Sequence, residues 1–161
     1  MDDAAVIEAQ LGRPPRGAPR VAVRCPHGRP AVVEQGAYLA GGEPFPTTYY
    51  LTCPHAVARI DGLEAAGGVD RYERLLAEDA GLRASYDAAA LRQRALRRPA
   101  AEMADGGASL ALGIAGVARD GAVKCLHAHA AFALAEPGYE VGMRILAEAE
   151  PLFPEGRCCC A

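Results

Sequence analysis

A cysteine followed two residues later by a histidine occurs three times in this chain, at Cys25-Pro26-His27, Cys53-Pro54-His55 and Cys125-Leu126-His127, and the third motif runs on to His129. The four histidines of the protein all fall within these motifs. Thiolate sulfur and imidazole nitrogen are the side-chain donors that zinc and iron prefer. No other feature constrains the fold as much, because it predicts that segments about a hundred residues apart are gathered around one ion.

With 161 residues the chain suits one domain and can bury a core without disulfide staples. Its apolar half is mostly Ala, Val and Leu, with no Trp and three Phe, so a core of small aliphatic side chains is expected. A net charge of −3 argues against a nucleic-acid or anionic-membrane surface. The acidic start Met1-Asp2-Asp3 does not read as a signal peptide, and no apolar run approaches the length of a membrane span. A cytoplasmic location is therefore expected. Thiols stay reduced there, and the six cysteines read as ligands or redox groups before they read as a disulfide framework.

In chain order, residues 1–19 read as a short helix (Asp3 to Leu11), stopped by Gly12 and Pro14, and a linker, Pro14-Pro15-Arg16-Gly17. Residues 20–150 read as one domain and 151–161 as a flexible, cysteine-rich tail carrying Cys158, Cys159 and Cys160. Strands are expected at 20–24, 31–35 and 47–52, the last rich in β-branched and aromatic residues. Cys25 then sits on a Pro26-His27-Gly28 turn. Cys53 sits at the start of a helix over 54–66, where exposed amides would favour a thiolate. Further helices are predicted over 69–78, 82–98, 125–135 and 139–148. An apolar run from Leu110 to Val117 and the Asp120-Gly121 turn into Ala122-Val123-Lys124 predict more strand. The fold class is α+β: a small, mostly antiparallel sheet of three to five strands from 20–52 and 110–124, covered by helices from 54–98 and 125–148.

Four stretches carry a family likeness: Arg24-Cys25-Pro26-His27-Gly28, the run from Phe45 to Pro54, Leu63-Glu64-Ala65-Ala66-Gly67-Gly68, and Gly113 to Gly116 continuing through Lys124 to His129. In these the chain resembles the bacterial, mainly actinobacterial family known as domain of unknown function 501. The resemblance implies that Cys25, Cys53, Cys125, His127 and His129 are kept, with positions 27 and 55 more variable. It brings no activity with it.

If residues 125–135 are helical, Cys125 and His129 share a face and His127 points elsewhere; in an extended segment Cys125, His127 and His129 would all face one way and His127 would join. Together with Cys25 and Cys53 this gives a Cys3His set, the composition of structural zinc, with zinc ahead of an iron–sulfur cluster because close cysteine runs are absent. His27 and His55 are expected to cap turns or face water. The leading functional expectation is a zinc-stabilised structural or interaction module with an unidentified protein partner. Its alternatives are a hydrolase-like metal enzyme with an open coordination position and Glu34, Asp61 or Glu64 as base, and thiol redox chemistry at Cys53. Nucleic-acid contact through Arg92, Arg94, Arg97 and Arg98 is opposed by the overall acidity.

Overall fold

The structure, a computed structural model, describes residues 2–159; Met1, Cys160 and Ala161 lie outside the described residues. Helix α1 (Asp3–Leu11) ends where Gly12 takes a left-handed conformation, φ 67°. Three strands follow, β1 (Arg20–Arg24), β2 (Pro30–Glu34) and β3 (Tyr49–Leu51), antiparallel in the order β1-β2-β3. Val32 stands opposite Leu51 and Arg24 opposite Pro30. The middle strand is buried nearly throughout, which suits its Ala31-Val32-Val33 run.

Helices α2 (Pro54–Ala65), α3 (Gly68–Glu78) and α4 (Ala80–Leu96) come next. Pro54 occupies the first turn of α2, where a missing N–H costs nothing. The Asp79 side chain caps α4 by accepting the Leu82 amide at 2.9 Å. After a long irregular stretch, α5 (Leu126–Ala135) and α6 (Glu140–Glu148) close the domain. Unlike the other helices, α5 is apolar all round, and its Leu126, Ala128, His129, Ala130, Ala131, Phe132 and Ala133 are buried. It packs against α2, α6 and all three strands and is the centre of the core. Small residues let α6 come close. A Cβ added to Gly142 would stand 2.4 Å from the Ala133 Cβ and 2.5 Å from the His129 carbonyl oxygen.

The architecture is thus α+β with a small antiparallel sheet, but the strands expected between 110 and 124 do not form. Ala108–Ala111 and Ile114–Gly116 are short 3-10 turns. The Gly116 amide bonds the Gly113 carbonyl at 3.0 Å, and the Gly113 amide returns to the Val117 carbonyl at 2.9 Å, so this backbone closes on itself and offers no free edge to a ladder. The segment after α6 lies against the domain. Leu152 is 4 % exposed, and the carbonyls of Leu152 and Pro154 are held by His55 Nδ1 at 3.0 Å and His27 Nε2 at 2.9 Å. Arg59 holds the Ala149 and Glu150 carbonyls in the same way. The histidines of the two Cys-Pro-His motifs therefore clasp this segment, in place of the turn-capping or solvent-facing role expected of them.

Candidate metal centre

Helix α5 starts one residue later than its composition suggests. Cys125 is its N-cap, in an extended conformation (φ −152°, ψ 119°), and only Leu126 onward is helical. That single residue changes which histidine meets the cysteine. Cys125 Sγ lies 3.7 Å from His127 Nδ1. His129, turned the other way, is fully buried with its ring between Tyr86 and Tyr139. Its Nε2–H donates to the Val123 carbonyl at 3.0 Å, and its Nδ1 accepts from the Tyr139 hydroxyl at 2.7 Å. Burial holds the imidazole down at about 4, neutral at ordinary pH. With both ring nitrogens engaged, His129 has no lone pair to offer an ion, and the helical argument that selected it over His127 fails at the helix boundary.

The donors that do come together are Cys125, His127 and Glu64, whose ligand atoms all lie within 4.8 Å of one another. Glu64 reaches across from α2. Its Oε1 accepts the Leu126 amide at 2.6 Å and stands 3.2 Å from His127 Nδ1. On the far side of the ring, His127 Nε2 lies 3.1 Å from Asp61 Oδ1 and 3.3 Å from the Val57 carbonyl. One ring nitrogen thus faces the thiol and the carboxylate while the other is fixed by an acidic partner, the arrangement that orients metal-binding histidines. Burial works against a charged His127, but Cys125 and Glu64 together outweigh it and raise the ring to about 9. A cation arriving here displaces that proton.

The other expected ligands stand elsewhere. Among the described residues Cys25, Cys53 and His129 belong to no group of three donors at this spacing, so the Cys3His set is not assembled. The reason is topological. Cys25 and Cys53 flank the start of β2, with the Cys25 amide bonded to the Arg29 carbonyl and the Thr52 amide to that of Ala31, whereas Cys125 precedes α5 beside His127, which meets α2 at the Val57 carbonyl, a turn on from Cys53. Cys53 instead meets Cys159, sulfur to sulfur at 3.6 Å. It is 1 % exposed, and burial pushes its thiol up to about 11, overriding the thiolate expected at a helix start.

Of the candidate bases, Glu34 is engaged in a cross-strand ion pair with Arg20. Three of the four arginines of the run are committed internally: Arg92 pairs with Glu136, Arg94 bonds the Ala111 carbonyl, and the buried Arg97 bonds the carbonyls of Ser109, Pro46 and Phe45. The sequence offers Asp61 and Glu64 as bases, whereas the structure makes Asp61 the partner of the His127 ring and Glu64 one of the three gathered donors. Their spacing from Val57, four and seven residues on, puts all three on one face of α2, which was the available signal.

A cleft of about 350 Å³ opens beside the group, lined by Tyr49, Tyr50, Leu51, Val57, Ala115 and Ala128 together with Pro46, Thr47, Lys124, Cys125 and His127. No helix of the described residues is long and apolar enough to cross a membrane. Residues 21–147 match the model of a family described as "Protein of unknown function (DUF501)". No curated protein and no solved structure matches the chain.

Proposed function

The chain belongs to the DUF501 family, matched over residues 21–147, and we propose that it is a zinc-binding protein of hydrolase type whose ion is held by Glu64, Cys125 and His127. The observation that carries this reading is the convergence of a thiol, an imidazole and a carboxylate within 4.8 Å, next to a cleft, with the imidazole turned by Asp61. Thiolate, imidazole and carboxylate are all zinc donors, and three of them leave the fourth tetrahedral position for water. Zinc held by these three residues would supply an activated water for attack on a carbonyl or phosphoryl centre. The chain's own residues orient and enclose. Asp61 and the Val57 carbonyl fix the His127 ring, and the Leu126 amide fixes one oxygen of Glu64.

Because Glu64 and Cys125 are distant in sequence, the ion also ties α2 to the start of α5, which keeps a structural contribution within the same reading. Elemental content and cobalt substitution test it. The protein purified without chelator is expected to hold one equivalent of zinc and, after exchange, to show a thiolate-to-cobalt absorption band that Cys125→Ser abolishes. Absence of zinc from the wild type, or an unchanged content in both Cys125→Ser and His127→Ala, overturns the assignment. Unchanged content in Cys53→Ser is expected, and its loss would restore the wider sulfur set.

A further inference from the structure

Lys124 is the one lysine in the chain, beside sixteen arginines. A composition that fills nearly every cationic position with arginine retains an ammonium only here. The position is also conformationally costly. Lys124 has φ 58°, in the left-handed region that a side chain with a Cβ seldom adopts. Its neighbours hold it there: the Val123 amide is bonded to Glu73 at 3.0 Å, the Cys125 amide to the Val123 carbonyl at 2.6 Å, and the Leu126 amide to Glu64 at 2.6 Å. Strain imposed by its surroundings on a cleft-lining residue is the pattern of a site arranged for use.

The cleft supplies the complement. Away from Cys125 and His127 its walls are mostly aromatic and aliphatic, Thr47 adds a hydroxyl, and among the described residues no carboxylate lines it beside the exposed Lys124. We infer that Lys124 and this cleft bind a small organic carboxylate, the acid group on the ammonium and the apolar body between Tyr50, Leu51 and Val57. The His127 ring is taken up by Glu64 and Asp61 and the Tyr49 hydroxyl by Glu136, so the ammonium of Lys124 matches one negative charge; a phosphate dianion would call for more cationic donors. The volume, about 350 Å³, is near the lower end of the range for small-molecule sites, roughly 300–1,000 Å³. The inference rests on the zinc reading only in placing the carboxylate-bearing molecule beside Cys125 and His127, where a second group on that molecule, an ester or amide apart from the free carboxylate, would meet the activated water.

Calorimetric titration with hexanoate and with its neutral counterpart hexanamide, on zinc-loaded and on chelator-treated full-length protein, tests the site. The wild type should prefer hexanoate by about tenfold, as a charged hydrogen bond gives. Lys124→Met should lose the preference with its zinc content unchanged. Lys124→Gly should lose it too while melting at a higher temperature, because the left-handed conformation suits glycine; a merely structural lysine would not couple greater stability to lost binding. Hexanoate bound no better than hexanamide, or a preference that survives in Lys124→Met, overturns the inference. If zinc is taken up without any preference, this inference alone fails. If the preference depends on Lys124 in protein that takes up no zinc, the metal reading fails and the cleft stands.

Discussion

His129 shows how one side chain can look like a ligand and serve as core. Its imidazole is neutral and doubly bonded inside the protein, held down at about 4, while an unfolded chain would carry it near its ordinary value of 6.5. Between those values the unfolded state binds more protons than the folded one, so stability falls as pH drops from about 6.5 towards 4. The loss amounts to about 1.4 kcal/mol per pH unit and about 3 kcal/mol in all. Denaturant unfolding at a series of pH values should show this slope in the wild type and a flatter one in His129→Gln. Equal slopes would mean that the ring is not the titrating group. In the sequence, Cys125, His127 and His129 look equivalent as donors. Only the position of the helix start, one residue past Cys125, separates the histidine facing the thiol from the one facing Tyr139, and composition does not fix a boundary that finely.

Among the elements, the helices were legible and the non-helical part of the chain was less so. The apolar spacing of Tyr72 and Leu76 in α3, and of Leu82, Tyr86 and Ala89 in α4, places the buried faces correctly. Leu110, Leu112 and Ile114 have strand spacing as well. Yet Gly113 and Gly116 bring that backbone round upon itself, and Ala115 takes φ 62° between them, so local closure prevails over alternation. The α5–α6 packing depends on the missing side chain at Gly142. Gly142→Ala should cost about 1–3 kcal/mol by overpacking, seen as a lower unfolding midpoint. An unchanged midpoint would mean that the helices can separate freely. The carboxylates of Glu64 and Glu73, each accepting a backbone amide from the 123–126 stretch, hold the loop that presents Cys125. Such long-range acceptors leave no periodic trace, and for this reason the loop's position had to come from the structure.

At the level of the whole molecule, the described residues form six α-helices and a three-stranded sheet with α5 packed between the sheet and α6, and the stretch after α6 finishes the surface where β1 and β3 end. Ending the chain at Glu150 would expose the ground beneath Leu152 and free His27 and His55. The loss of that one leucine's burial should lower stability by about 1.5–3 kcal/mol, measured by denaturant titration against the full chain. A truncated protein with an unchanged midpoint would show that the segment adds nothing to the fold. His27, His55 and Arg59 grip this stretch by main-chain oxygens alone. A grasp of that kind is indifferent to the identity of most residues it holds and sensitive to their number. Apart from the buried Leu152, the residues between Ala149 and Pro154 are therefore free to change in kind, whereas an inserted or deleted residue would shift every oxygen past its donor and undo the clasp.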